Sequence, residues 1–104
     1  MQEIYFIVNC GLGSKLLKKA KKLGMRGGTI LRAHGTIENS LLHLFALDDQ
    51  QKEIVMMAGP STLCREVMQK LAQVFHFEKP NHGIAFSLPL FKVCGVSCYP
   101  DQEY

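Results

Sequence analysis

Gly11-Leu12-Gly13-Ser14-Lys15 is the run of this chain most like a phosphate-binding turn, because it follows an apolar stretch and opens a lysine-rich one. Backbone amides at a helix N-terminus attract an anion. The spacing fails the P-loop pattern, however, and the third glycine of a dinucleotide fingerprint is missing. A plain strand-to-helix turn is the better reading. Cys94-x-x-x-Cys98, with His76 and His82, offers metal-ligand chemistry. No cysteine pair has the Cys-x-x-Cys zinc spacing. Cys10, Cys64 and Cys94 read as small buried hydrophobes. His34, His43, His76 and His82 are scattered and read as turn or edge residues. Neither Gly-x-Ser-x-Gly nor His-Glu-x-x-His occurs, and the acids fall mainly in expected loops. The sequence does not argue for an enzyme.

Charge narrows the partners. The 104 residues carry a net charge of +3, too little to imply nucleic acid unless it is clustered. Lys15, Lys18, Lys19, Lys21 and Lys22 are clustered, but no aromatic side chain interleaves with them for base stacking. They read as a solvated helix face. The apolar runs are too short to span a membrane. Met1-Gln2-Glu3 leads into the first of them without a basic start, so the expectation is a cytoplasmic chain with free thiols.

Glycines mark the remaining candidate site. From Leu23 to Thr36 the chain reads L-G-M-R-G-G-T-I-L-R-A-H-G-T. Gly24 can end a helix in the left-handed conformation. Gly27 and Gly28 leave the backbone bare, Thr29-Ile30-Leu31 is strand-like, and Gly35-Thr36 turns again.

The elements that must position these residues follow from periodicity. Residues 4–8, β-branched and aromatic, form a first strand. Residues 14–23 form a helix with Leu16, Leu17, Ala20 and Leu23 on one side, capped by Ser14. Strands follow at 28–34, 52–58 and 84–88. A second helix begins near Pro60, capped by Gly59 or Ser61, with Leu63, Val67, Leu71, Val74 and Phe75 inward. Residues 37–50 read as a short helix or helical turn. Leu42, Leu44 and Ala46 also alternate like a strand, and the leucines of 37–47 suggest an ordered, largely buried segment. Residues 91–96 read as a last short strand and 99–104 as a loose tail.

The order is β-α-β-β-α-β with short extra elements in a single domain, 1–104. That pattern specifies an α+β, ferredoxin-like sandwich: a four-stranded antiparallel sheet with two helices on one face. The other face stays apolar, so the fold expects a partner there, most simply a copy of itself.

The run Gly-Met-Arg-Gly-Gly-Thr-Ile-Leu-Arg-Ala-His-Gly at 24–35 resembles the PII-type nitrogen regulatory proteins. So do Pro80-Asn81-His82-Gly83-Ile84-Ala85-Phe86 and the first-strand run Ile-Val-Asn-Cys-Gly-Leu-Gly. The resemblance covers nearly the whole chain in element order. It implies a homotrimer of ferredoxin-like subunits that signals metabolic state to a partner protein. It also implies a small effector, an adenine nucleotide such as AMP, ADP or ATP, in clefts between subunits. Thr29, Gly35, Thr36, Asn81, His82 and Gly83 would line that cleft. Thr29 would face the base, and the glycines would let the chain pass close to ribose and phosphates.

The departures shape the expectation. The family's long loop is replaced by the leucine-rich 37–47 segment, without a tyrosine to modify. Ile84 stands where the family has a phosphate-binding lysine, and no arginine follows Arg65. AMP, ADP or another metabolite is therefore expected to bind at least as well as ATP. Two other readings stand beside this one. One is a trimeric interaction module that docks a protein through Leu41, Leu42, Leu44 and Phe45. The other is a small metal-responsive trimer using cysteine and histidine.

Overall fold

The computed structural model describes residues 1–34, 51–80 and 82–95. Four strands and two helices are present: β1 Gln2–Asn9, α1 Gly13–Lys22, β2 Thr29–His34, β3 Gln51–Gly59, α2 Ser61–Val74 and β4 Ile84–Pro89. The sheet order is β2-β3-β1-β4, and every neighbouring pair is antiparallel. This is the expected ferredoxin-like sandwich. The expected helix at 37–50 and the tail 99–104 lie outside the described residues. Residues 91–95 form no strand, which corrects the expectation of a fifth strand for the part described.

Strand alternation separates two faces. On one, Ile4, Phe6 and Val8 of β1 and Val55 and Met57 of β3 meet Leu16 and Ala20 of α1 and Cys64, Val67 and Leu71 of α2. All are buried, and together they make the main core. Helical spacing explains the choice: 16 and 20, and 64, 67 and 71, each lie along one side of a helix. Both helices therefore cover the same face. Val74, expected inward, is exposed at the C-terminal end of α2.

The helices end alike. Gly24 has φ +119°, its amide donates to the Lys21 carbonyl, and the Met25 amide donates to the Ala20 carbonyl, both at 3.1 Å. This double bond pattern is the Schellman ending, which needs a left-handed residue. It delivers Met25 into the core. α2 repeats it with His76 at φ 55°: the His76 amide reaches the Gln73 carbonyl and the Phe77 amide reaches the Ala72 carbonyl. Phe77 then packs edge-on to Phe6, with ring centroids 6.2 Å apart.

Neither helix starts as expected. Leu12 and Pro60 occupy the N-cap positions and neither caps with its side chain. Ser14 lies inside α1 and Ser61 inside α2, so both proposed serine caps are corrected. At α1 the reason is Glu53. This buried β3 residue sends its carboxylate Oε1 to the amides of Gly11 at 3.0 Å and Gly13 at 2.8 Å.

The opposite sheet face is apolar too. Ile7 is buried there among Ile54, Ile84 and Phe86. Tyr5 stacks on Phe86 with centroids 5.0 Å apart, and its hydroxyl donates to Glu3. Leu31 and Leu88 flank this patch, 45% and 49% exposed. No described helix covers it.

Candidate functional site

The start of α1 is built like an anion site, but the chain fills it. Glu53 supplies a carboxylate where a phosphate would sit, against the amides of Gly11 and Gly13. A Cβ on Gly13 would come within 2.7 Å of Glu53 Oε1, so the glycine makes room for the chain's own acid. This turn binds an internal carboxylate and has no amide of Gly11 or Gly13 to spare for a ligand. Sequence reasoning missed Glu53. The available signal was an acid in the same strand as the apolar run Ile54 to Met57, two residues before Val55 in the inward register.

Two grooves lie on opposite edges of the sheet. The larger, about 640 Å³, runs between α2 and the edge strand β4. Met68, Ala72, Phe77 and Ala85 give it an apolar floor, while Arg65 and Gln69 stand at its rim with Gly83 at one end. The smaller, about 320 Å³, lies at the start of β2, where Gly27, Gly28 and Thr29 face Glu3 and Met56. Thr29 is exposed, as a ligand-facing hydroxyl must be.

The expected site residues are therefore split. Thr29 is on β2 and Gly83 precedes β4, with β3 and β1 between them. Three strand spacings separate the two edges by about 14 Å. One chain does not bring them together. Gly35, Thr36 and Asn81 lie outside the described residues. His82 is half-buried, with Nδ1 3.4 Å from the Phe75 carbonyl, and its ring lies edge-on to His76.

Two glycines in these grooves have structural duties. Gly83 has φ +145°, and a Cβ there would meet Phe77 at 2.8 Å and the Ile7 carbonyl at 2.9 Å. A Cβ on Gly28 would meet Met57 at 2.6 Å and the Met56 carbonyl at 2.8 Å. Their missing side chains are used by neighbouring parts of the same chain. Gly27 has no neighbour within 4 Å of where a Cβ would stand, and it stays open to a ligand.

Charge at the grooves is sparse. Arg65 is the one cation lining the larger groove, and the smaller is lined by the carboxylate of Glu3 and by no cation. Arg32 points to the helix side, opposite Glu53, whereas Thr29 pairs with Met56 on the open face. Glu78 is held below the ordinary carboxylate range, first by its own backbone amide and then by His76. That pair is solvent-exposed and lines neither groove.

The cysteines differ from expectation. Cys64 is buried, with Sγ 3.6 Å from the carbonyls of Gln2 and Gly59, and burial pushes its thiol up. Cys10 and Cys94 are exposed, which corrects the reading of them as buried hydrophobes. Each sits in a turn or coil where no helix packs over it. Among the described residues no three His, Cys, Asp or Glu side chains gather into a metal set. No described helix is long and apolar enough to cross a membrane.

No protein-family model matches the sequence, and no curated protein matches it. Among solved structures it is similar to a candidate PII-like signaling protein from Thermus thermophilus. The two share 21% identity over 84% of this chain and 82% of the other, with a TM-score of 0.58. At that identity the likeness speaks for the fold alone: this chain shares the ferredoxin-like fold of that structure.

Proposed function

We propose that the chain is a PII-like regulatory protein, a cytoplasmic homotrimer without enzymatic activity. It takes a small effector in clefts between subunits and passes that state to a partner protein in nitrogen or other metabolism. The effector is an adenine nucleotide or a metabolite of similar size. The observation that carries this reading is the placement of the two grooves. Thr29 and Gly83 lie on opposite sheet edges, so a ring of copies meeting head to tail sets the β2 groove of one beside the β4 groove of the next. The apolar open face around Ile7 and Phe86 gives such copies surface to bury.

Charge sets the order of affinities. A triphosphate gains about 1.5–3 kcal/mol from each hydrogen bond to a charged donor. Arg65 is the single cation lining the larger groove and the smaller one adds Glu3, so AMP and ADP bind at least as well as ATP, without dependence on magnesium. Calorimetry with the three nucleotides, beside light scattering of the same sample, tests both parts. A monomer of 11.7 kDa at micromolar concentration would remove the cleft. Submicromolar ATP binding far above ADP and AMP would overturn the charge argument.

A further inference from the structure

The helix layer carries a charge distribution that neither the core nor the two grooves use. α1 exposes Lys15, Lys18, Lys19, Lys21 and Lys22 and contains no acid. At 100° per residue, Lys15, Lys18, Lys19 and Lys22 form one stripe roughly 10 Å long, with Lys21 at its flank. Like charges three and four residues apart destabilise a helix, whereas Glu and Lys at the same spacing support it. Solubility alone is served by the second pattern, and this helix has the first. None of the five lysines forms an ion pair with a described residue. Lys70 on the exposed side of α2 extends the positive surface, with Glu66 as the one acid there.

A second feature adjoins the stripe. Beside the last turn of α1 a cleft of about 420 Å³ opens between the helices, lined by Leu23, Glu66, Gln69, Lys70 and Gln73. Leu23 is 36% exposed there, an apolar seat next to the lysines.

We propose that this surface docks an acidic segment of a partner protein: a helix with Asp or Glu at three- and four-residue spacing and an apolar side chain that seats against Leu23. Carboxylates on such a helix repeat at about 5–6 Å, the same interval as the lysines. Nucleic acid fits less well, because α1 has no aromatic side chain on which a base could stack. A membrane surface fits less well, because the apolar side of α1, Leu16 and Ala20, is locked in the core. None of the five lysines lines either effector groove, although Gln69 borders both the larger groove and the cleft beside Leu23.

The test uses the full chain without nucleotide and four probes in fluorescence anisotropy or sedimentation. These are a labelled glutamate-rich helical peptide carrying one leucine, its glutamine counterpart, a single-stranded oligonucleotide, and vesicles containing phosphatidylserine. The acidic peptide binds in low salt and its affinity falls at least tenfold in physiological salt. Lys18→Gln with Lys22→Gln weakens it fivefold or more. Lys79→Gln with Lys92→Gln removes the same charge elsewhere and changes it less than twofold. Failure of the wild-type protein to bind the acidic peptide overturns the proposal. So do equal losses in the two variants, equal binding of the glutamine counterpart, or tighter binding to the oligonucleotide or the vesicles. Effector binding and assembly are measured separately, so either idea can fail without the other.

Discussion

The Glu53 carboxylate on β3 accepts a hydrogen bond from the Gly13 amide, 2.8 Å away, and so ties the first turn of α1 to the centre of the sheet. The same oxygen also takes the Gly11 amide. Two otherwise unpaired donors and the positive end of the helix dipole are satisfied by one buried acid. Replacing Glu53 with Ala should cost about 2–4 kcal/mol, the range for losing charge-assisted bonds and leaving the buried Gly13 amide unpaired. Urea unfolding measures it. A change below half a kilocalorie, on the order of surface substitutions, would show that solvent replaces the carboxylate freely.

His76 closes α2 in a left-handed conformation that glycine adopts without strain. His76→Gly should therefore raise stability, by about 0.5–1 kcal/mol at a site where the bond pattern is already set. Thermal unfolding of the variant checks this. A drop in melting temperature would mean that the imidazole contact with Glu78 outweighs the backbone term.

Gly83 is better suited to holding the fold than to reporting on a ligand. Any side chain there strains a φ of +145° and presses on Phe77 and the Ile7 carbonyl. Gly83→Val should lose roughly 2–4 kcal/mol by strain and overpacking. Ligand contacts are tested more cleanly by Thr29→Ala, whose hydroxyl is exposed, and by Arg65→Ala at the groove rim. Both should keep the melting temperature within about 2 °C, as surface changes do, while weakening nucleotide binding. Wild-type stability in Gly83→Val would contradict the packing assigned to this turn.

The thiols should separate by reactivity. In folded protein Cys10 and Cys94 should react with an aromatic disulfide reagent within minutes near pH 8, and Cys64 only on unfolding. Burial pushes the Cys64 thiol above its ordinary pKa, so folding favours its neutral form. Its contribution is complete below the ordinary thiol pKa and is lost as pH rises through the folded value. Stability should thus decline on the alkaline side, and Cys64→Ala should flatten that decline. An unchanged alkaline slope in the variant would assign the loss to other groups.

Assembly should depend on the open sheet face. Leu31→Asp places a charge beside Ile54, and Leu88→Asp places one beside Glu3, where β4 pairs with β1. Each residue is about half exposed in one chain, so the single subunit should tolerate the change. If copies bury this face, the charge becomes costly to desolvate and the assembly should dissociate at micromolar concentration. Light scattering that shows the wild-type mass in both variants would move the contact elsewhere.

Periodicity in the sequence carried the architecture a long way. Ile4 to Val8, Leu16 with Ala20, and Val67 with Leu71 each repeat at the spacing of their element, and local geometry turns that spacing into a buried face. Gly24 was legible as a helix stop because a left-handed residue after a periodic run has few other uses. What the sequence left open are relations across distance. Glu53 caps a helix 40 residues earlier, and no local pattern records that pairing. His76 stands where a glycine would have announced the second helix end. Gly83 was expected to let the chain pass close to a ligand, and the fold also sets Phe77 and the Ile7 carbonyl in the space beside it. Thr29 and Gly83 were expected around one cleft between subunits, and sheet order sets them on opposite edges of a single chain, a placement that the sequence did not show. Side-chain type is fixed residue by residue, but which groups share a space depends on how strands separated in sequence are ordered. Only the folded sheet decides that.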